Sequence, residues 1–377
     1  MNKKKNLETI AIHAGMEHGG DNASIVPPLE SSTIYEHSVQ GSREGDLKYT
    51  RMQNPNRRQL ESVLAQLENG EAAAAFSSGV AAITSVLQSL GRGSEVLLPE
   101  DVYHGTRVLI HEFADSWGLD AKFIDQTDPE IIQDAITDRT RLIMVETPSN
   151  PQMRITSIKE TVRIAHANDV LVAVDNTWPT PYNMKPLEMG ADLVIQSTTK
   201  YLGGHSDILG GAVIARKEAG IFSRIRDIQT KQGAVPSPRD CWLLCRSIRS
   251  FPYRMRGHNE NAVKVASFLD DHIKIEKVYF PGLKAHPGHN IAKEEMSGFG
   301  GMISFLIRGG KEEALKAVAG TKLVRRATSL GGIESTWEHR RSSEGEGSPT
   351  PENLIRMSVG LEHPDDIIDD LKQALDQ

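Results

Sequence analysis

The sequence predicts an α/β protein with a mostly parallel central sheet and a smaller α+β domain at the C-terminal end. Between about residues 59 and 251, apolar strand-like runs alternate with amphipathic helical runs, which is typical of a parallel sheet covered on both faces. From 252 to 377, strands and helices follow each other on a smaller scale. Residues 1–58 are rich in turn residues and lack the periodicity of a core, so we expect an arm that packs on something else.

Polar residues follow the predicted strands of the larger domain. The strand-like runs and their ends are AAAAFSSG, SEVLLPED, RLIMVETPS, VLVAVDNT and DLVIQSTTK. The polar ends are Ser77 to Gly79, Asp101, Glu146, Asp175 and Ser197 to Lys200. Since ligands of such sheets bind at the carboxyl ends of the strands, we expect the functional site at this edge.

Composition narrows the class of protein. The 377 residues carry a net charge of -7, which gives no reason to expect a nucleic-acid partner. Cys241 and Cys245 lie four residues apart in a helical stretch and form no disulfide framework, as in a reducing cytoplasm. No apolar run follows the basic N-terminus, and none reaches the roughly 20 residues of a spanning helix. We expect a cytoplasmic protein without a signal peptide or membrane segment, and the histidine spacing predicts no metal site.

An acid and a lysine end two neighbouring strands. Asp175 closes VLVAVD, and Lys200 lies in the turn after the next strand. Either residue alone is more often structural, as a helix cap or a solvated surface lysine. Together they suit pyridoxal 5'-phosphate (PLP), because a lysine amine bonds to its aldehyde and a carboxylate holds the ring nitrogen protonated. Lys200 could then also move the proton of the substrate α-carbon.

The same strand ends offer a site for a phosphate and an aromatic face. Ser78 and Gly79 lie at a strand-to-helix turn, where free N–H groups and the helix dipole favour an anion. Ser197 and Thr199 add hydroxyls, and Tyr103 is placed to cover the ring.

Motifs over nearly the whole chain resemble the Cys/Met-metabolism PLP-dependent family, of the cystathionine γ-synthase and γ-lyase type. They include YTRMQNPN (49–56), SSGVAAI (77–83), EDVYHGT (100–106), ETPSNP (146–151), VDNTWPTPYN (174–183), STTKYLGGHSD (197–207), SLGGIES (329–335) and LIRMSVGLEH (354–363). The resemblance implies the PLP-dependent transferase fold of type I, the aspartate aminotransferase-like fold.

The resemblance also assigns roles to residues of this chain. Lys200 would carry PLP, Asp175 would pair with the ring nitrogen, and Tyr103 would stack on the ring and take part in proton transfer. The residues implied around the phosphate are Ser78, Gly79, Val80, Ser197 and Thr199, with Tyr49 and Arg51 from a neighbouring subunit. Those implied around the substrate carboxylate are Arg356, Asn150 and Ser335. The family assembly implied is a homotetramer, a dimer of dimers whose active sites are shared between subunits.

Departures from the family pattern bear on specificity. Lys48 stands where γ-synthases and γ-lyases often have an acid, Gly105 where methionine γ-lyases have a cysteine, and Leu330 where β-lyases tend to have tryptophan. Gln53, Asn56 and His104 also differ from the usual residues. Trp337 and the residues 339–341 are not the usual continuation of SLGGIES, so we expect 334–341 to tune which sulfur amino acid is accepted.

Three functions remain open from the sequence. The first is γ-elimination or γ-replacement on cystathionine or an O-acylhomoserine. The second is a β-lyase of the same architecture. The third is a catalytically silent PLP-fold binding protein, against which the intact Lys200, Asp175, Tyr103 and Arg356 argue.

Overall fold

A computed structural model describes residues 5–15, 24–41, 47–345 and 347–377. Its helices are α1 (Leu7–His13), α2 (Pro55–Glu68), α3 (Gly79–Gln88), α4 (His104–Trp117), α5 (Pro129–Ala135), α6 (Ile158–Ala167), α7 (Thr180–Asn183), α8 (Ile221–Gln232), α9 (Pro238–Ile248), α10 (Phe251–Asp271), α11 (His289–Glu295), α12 (Lys311–Gly320), α13 (Arg340–Glu344) and α14 (Pro364–Leu375). Its strands are β1 (Ala72–Phe76), β2 (Glu95–Pro99), β3 (Asp120–Ile124), β4 (Thr140–Glu146), β5 (Leu171–Asp175), β6 (Leu193–Gln196), β7 (Gly211–Ala215), β8 (Ile275–Tyr279), β9 (Met302–Ile307), β10 (Arg325–Arg326), β11 (Thr336–His339) and β12 (Leu354–Ser358).

Seven strands form the larger sheet, in the order β1-β7-β6-β5-β4-β2-β3. The strands from β6 to β3 are parallel to one another. β7 is antiparallel to both of its neighbours, so β1 points in the same direction as the parallel strands. The mostly parallel sheet predicted from the sequence is therefore confirmed.

Both faces of this sheet are buried. Along β2, Val96 and Leu98 join an apolar cluster with α3 and α4, whereas Leu97 joins a second cluster with α6. Because successive side chains of a strand point to opposite faces, a strand covered on both sides must be apolar throughout. This explains the continuous apolar runs in the sequence.

The carboxyl ends of β1, β4, β5 and β6 meet at one edge of the larger sheet. Glu146 pairs in register with Asp175, and Asp175 pairs with Ile195, one residue before the end of β6. The strand-end polar residues predicted from the sequence therefore lie side by side.

The smaller sheet has the order β10-β11-β12-β9-β8 and is antiparallel except for the β10–β11 pair. Its apolar side packs against α10, α12 and α14, with Val265, Phe305 and Leu371 among the buried residues. Strands and helices thus build a second α+β core from residues after 252, as the predicted fold class states.

The N-terminal segment differs in detail from the predicted arm. α2 begins at Pro55 because the side chain of Asn54 caps it, accepting hydrogen bonds from the N–H of Asn56 (2.9 Å) and of Arg57 (3.3 Å). α1 packs Ile10 and Ala11 into the cluster that contains residues of α2. The described residues of the segment that lie outside helices and strands are 5–6, 14–15, 24–41 and 47–54.

The stretch 342–353, which the low apolar content predicts to be a mobile surface loop, makes many hydrogen bonds in its described residues. The carboxylate of Glu344 accepts hydrogen bonds from the hydroxyls of Ser348 and Thr350. Arg341 donates to the carbonyl of Thr350 at 2.8 Å. Serine and threonine hydroxyls around one glutamate hold this stretch in place of the apolar contacts that it lacks.

Trp337 does not face the functional site, contrary to the expectation from its place after SLGGIES. Its side chain is 1% exposed and packs in the apolar core of the smaller sheet, 6.4 Å from Phe305 between ring centroids. The indole N–H donates to Thr321 Oγ1 at 3.1 Å. The residue lies on β11, where alternate side chains point to opposite faces, and it takes the core-facing position.

We therefore expect Trp337→Ala to act on stability and not on substrate choice. Removing a fully buried indole should lower the free energy of unfolding by about 3–5 kcal/mol. Urea denaturation followed by circular dichroism measures this loss. Trp337→Phe keeps most of the apolar volume and should cost less. A Trp337→Ala protein of unchanged stability whose preference between two substrates has shifted would contradict this placement.

Candidate active site

The start of α3 forms an anion cradle. Ser78 caps the helix, and its hydroxyl accepts a hydrogen bond from the N–H of Ala81 at 3.1 Å. A Cβ atom at Gly79 would lie 2.9 Å from Cβ and 3.0 Å from Oγ of Ser197, so only glycine fits there. The first N–H groups of α3 and the Ser197 hydroxyl therefore lie within reach of one small anion. Val80, in the first turn, is 37% exposed.

The loop after β6 is fixed by hydrogen bonds to the side chain of Thr177 and to the backbone of Gly210. The N–H of Ser197 donates to Thr177 Oγ1 at 2.9 Å. The hydroxyl of Thr199 donates to the carbonyl of Gly210 (3.1 Å) and accepts from its N–H (3.0 Å). Thr199 thus supports the loop that carries Lys200, and its hydroxyl proton is already used within the protein.

Lys200 is mostly buried, and its Nζ donates to Ser329 Oγ at 2.7 Å. Burial, and then the positive charges of Arg356 and Arg340, lower the pKa of Lys200 to about 8. A lysine of this kind has a much larger neutral fraction near neutral pH than a solvated lysine, as an amine nucleophile or base requires. The sequence did not reveal Ser329, which reaches Lys200 across 129 residues of the chain.

Asp175 lies at the end of β5 with Oδ1 accepting the N–H of Thr177 at 3.0 Å. Burial raises the pKa of Asp175, while the hydrogen bonds from Thr177 and the charge of Lys200 act in the opposite direction. A cation placed against this carboxylate would offset the cost of burying its charge. A protonated pyridine nitrogen is such a cation.

Glu146 is a site residue that the sequence placed at a strand end without giving it a role. Its Oε2 accepts the N–H of Tyr103 at 2.7 Å. Burial and the nearby charge of Asp175 raise the pKa of Glu146 well above its ordinary value, which favours the neutral acid. The register of β4 and β5, which puts Glu146 opposite Asp175, is the signal that could have revealed it.

Tyr103 is the residue before α4 and is 37% exposed. Its ring lies over Gly105, where an added Cβ would come within 2.5 Å of Cε1 and 3.0 Å of the hydroxyl. The Tyr103 ring can take this position only because residue 105 has no side chain. Any larger residue there, including cysteine, would have to displace it.

Arg356 is buried at the centre of β12, on the side of the smaller sheet that faces the large-sheet edge. One terminal nitrogen, Nη1, donates to Asn150 Oδ1 at 2.9 Å. The other, Nη2, donates to the carboxylate of Glu338 and to the carbonyl of Ser329. Arg356 and Asn150 are thus brought together, as the sequence predicts for a carboxylate site. The acid that pairs with Arg356 is Glu338.

Ser335 is fully buried, and its polar groups are used within the protein. Its hydroxyl donates to Glu362 Oε2 (2.7 Å) and accepts from the N–H of Gly360 (2.8 Å). Its own N–H donates to Glu362 Oε1 at 2.7 Å. A contact between this hydroxyl and a substrate carboxylate would have to replace one of these bonds.

Tyr49 and Arg51 lie beside each other, near the end of α8. The guanidinium of Arg51 donates to the carbonyl of Thr230 and lies 5.6 Å from the ring centroid of Tyr49. In the described residues, no hydrogen bond joins either side chain to Ser78 or Lys200.

The described part of the chain shows neither a membrane-spanning helix nor a metal cluster. None of its helices combines the length and apolar character needed to cross a bilayer. Among these residues, no group of three or more His, Cys, Asp or Glu side chains is arranged to hold a metal ion.

The fold, the anion cradle and the lysine–carboxylate pair define a PLP-dependent enzyme of fold type I. Comparison with known proteins agrees. The family model for Cys/Met metabolism PLP-dependent enzymes matches residues 8–376, and the chain belongs to that family.

Similar proteins cover nearly the full chain. It is 42% identical to a cystathionine gamma-synthase of Mycobacterium leprae, covering 98% of this chain and 96% of that protein. It is 40% identical to an L-methionine gamma-lyase of Fusobacterium nucleatum subsp. polymorphum (100% and 99% covered) and 40% identical to a cystathionine gamma-lyase of Bacillus subtilis (99% of each). The crystal structure of metB from Corynebacterium glutamicum superposes with a TM-score of 0.96 at 38% identity, covering 99% of this chain and 98% of that chain.

The lowered pKa of Lys200 can be measured without the cofactor. Because the neutral amine is the reactive form, acetylation of Lys200 in the cofactor-free protein should rise with pH through a midpoint of about 8, well below that of a free lysine side chain. Mass spectrometry of the Lys200 peptide follows the reaction. Arg356→Gln removes a positive charge and should move the midpoint upward. A midpoint near 10.5 would show that Lys200 is solvated.

Proposed function

We propose that the chain acts at the γ-carbon of its substrates, by γ-elimination or γ-replacement on sulfur amino acids or O-acylhomoserines. The observation that carries the proposal is that Lys200 and Asp175 lie at one edge of the larger sheet, where Ser329 connects Lys200 to Arg356, the partner of Asn150. The names of the full-length relatives, cystathionine gamma-synthase, cystathionine gamma-lyase and methionine gamma-lyase, all describe chemistry at this carbon.

Each part of the site has a separate task in binding PLP. The N–H groups of α3, with Ser78, Gly79 and Ser197, would hold the phosphate. Asp175 would hold the ring nitrogen in its protonated form, and Tyr103 would cover one face of the ring. Lys200 would supply the amine that binds the aldehyde. When bound, PLP draws electrons from the bonds at the substrate α-carbon.

The protein's own groups position the substrate and move its protons. Arg356 can bind both oxygens of the α-carboxylate, which fixes the α-carbon relative to Lys200. With a pKa of about 8, the amine of Lys200 can accept the α-proton near neutral pH and return it at another carbon. Glu146, favoured as the neutral acid, holds the backbone of Tyr103 and adds no charge beside Asp175.

Gly105 favours the cystathionine-type enzymes over a methionine γ-lyase. A side chain at this position would displace the ring of Tyr103 from the place that it takes here. A β-lyase is less consistent with Leu330, which is buried in the core of the larger sheet where tryptophan would be expected.

We also propose that the segment around Tyr49 and Arg51 completes the active site of a neighbouring subunit. Several of its apolar side chains are exposed in a single chain, for example Val39 and Ile34, the latter at 70%. Tyr49 itself is 40% exposed although it is aromatic. Packing of this segment on a second copy, within a homotetramer built from two dimers, would cover these side chains.

Product analysis tests the reaction. Purified holoenzyme is incubated with cystathionine and, separately, with O-succinylhomoserine plus cysteine. We expect 2-oxobutanoate, ammonia and cysteine from the first, or cystathionine and succinate from the second. Pyruvate and homocysteine from cystathionine would instead show β-elimination.

Lys200→Ala should lose turnover together with the visible absorbance of bound PLP, and a variant that keeps both would contradict the assignment of Lys200.

Hybrid assemblies test the shared site. Arg51→Ala and Lys200→Ala proteins should each be inactive alone, because one loses a phosphate contact and the other the catalytic amine. After mixing and subunit exchange, some hybrids carry an intact Lys200 beside an intact Arg51, so activity should recover in part. Exchange is verified with differently tagged subunits. No recovery despite demonstrated exchange would mean that each site is built from one chain.

A further inference from the structure

Glu338 lies between two buried arginines. Its Oε1 accepts hydrogen bonds from Nη2 of Arg356 and from Nη1 of Arg340, the latter at 3.0 Å. Its Oε2 accepts from the hydroxyl of Ser343 at 2.7 Å. The side chains of Glu338, Arg340 and Arg356 are each 8% exposed or less, so these ion pairs are formed away from bulk water.

A second carboxylate balances the second arginine. Nε of Arg340 donates to Glu344 Oε1 at 2.8 Å, and the Glu344 side chain is 4% exposed. Although burial acts to raise it, the pKa of Glu344 is lowered by hydrogen bonds from Ser348 and Thr350 and by the charge of Arg340. The cluster thus has two cations and two anions, and it is neutral before any substrate binds.

Substrate binding changes this balance. A carboxylate that binds Arg356 brings a third negative charge and competes with Glu338 for Nη2 of Arg356. Glu338 keeps two other partners, Arg340 and Ser343, that can hold it when it gives up Arg356. A buried charge without such partners would oppose the exchange strongly.

We propose that Glu338 is a positioning residue that pairs with Arg356 in the free enzyme and is held by Arg340 when the substrate carboxylate binds. The Arg340–Glu338 pair would then set how tightly the site holds a carboxylate. This inference rests on the proposed role of Arg356 as the carboxylate anchor. It assigns a specificity-determining function to Arg340, which the sequence singled out as an unusual residue after SLGGIES.

Two unreactive amines separate the carboxylate from the rest of the substrate. L-norvaline has no leaving group at its γ-carbon, and n-butylamine is the same molecule without the carboxylate. Each is titrated into the holoenzyme, and binding is followed by the visible absorbance of bound PLP. The ratio of the dissociation constant of butylamine to that of norvaline measures the contribution of the carboxylate.

The variants should move this ratio in opposite directions. Arg340→Met leaves Glu338 with Arg356 as its arginine partner, so the carboxylate contribution should fall by about tenfold. Arg340→Lys restores a cation and should recover part of the loss. Glu338→Gln removes the competing charge, and the ratio should rise. Arg325→Met, an exposed arginine of the same sheet, is the matched control and should leave the ratio unchanged.

The outcomes separate the inference from the proposed function on which it rests. A wild-type ratio near one, or an unchanged ratio in Arg356→Lys, would show that Arg356 is not the carboxylate anchor. A large wild-type ratio that Arg356→Lys lowers, but that Arg340→Met leaves unchanged, would overturn only the role of Arg340 and Glu338. A fall of the ratio in both Arg340→Met and Glu338→Gln would indicate a structural role alone. If Glu338→Gln does not fold, the comparison of Arg340→Met with Arg340→Lys decides.

Discussion

The burial of charge at the carboxyl edge of the larger sheet is the constraint on which the rest of the site depends. Glu146, Asp175 and Lys200 lie where three neighbouring strands end; Glu146 is buried, and the other two are partly buried. In such surroundings each charge must be neutralised, paired or hydrogen-bonded. The structure uses two of these means here: burial favours the neutral form of Glu146, whereas Asp175 and Lys200 are hydrogen-bonded, to the N–H of Thr177 and the hydroxyl of Ser329.

The two sheets each supply part of the site, and a few long-range hydrogen bonds join them. Asn150 follows β4 of the larger sheet and accepts from Arg356 of the smaller sheet, 206 residues further along the chain. Ser329, in the connection that leads to β11, contacts both Lys200 and Arg356. Lys200 and Arg356 are therefore positioned by the same connection. A shift of the smaller sheet would change the geometry at both groups together.

The sequence predicted the larger sheet, and the placement of Asp175 and Lys200 at one edge of it, because both follow from order along the chain. Strand, polar end and helix recur in one direction, so Asp175 and Lys200 could be placed at one edge without coordinates. The smaller sheet depends instead on antiparallel register. Glu338 faces Arg356 because β11 and β12 pair these two residues, and nothing in the spacing of 18 residues between them fixes that pairing.

The expectation for Trp337 was wrong for the same reason, because its place on a strand of the smaller sheet was not predicted. The expectation that 334–341 as a whole tunes substrate choice gave Trp337 and Glu338 the same surroundings, whereas strand alternation sends them to opposite faces. One enters an apolar core and the other an ionic cluster. The chain departs from the family pattern at Arg340, which directly follows β11. The charge of Arg340 is balanced by Glu344 in the same short helix, α13.

The ionic cluster and the sheet edge also act on each other electrostatically. Arg356 and Arg340 lower the pKa of Lys200 in addition to the effect of burial, whereas Glu338 and Asp175 act to raise it. In the proposed function, the arginine that binds the substrate carboxylate would thus also help to set the basicity of the amine that accepts the α-proton. Because a carboxylate bound at Arg356 would offset part of that positive charge, substrate binding itself would make Lys200 a stronger base. In the proposed function, carboxylate recognition and the basicity of Lys200 would therefore be coupled through the charges of Arg356 and Arg340.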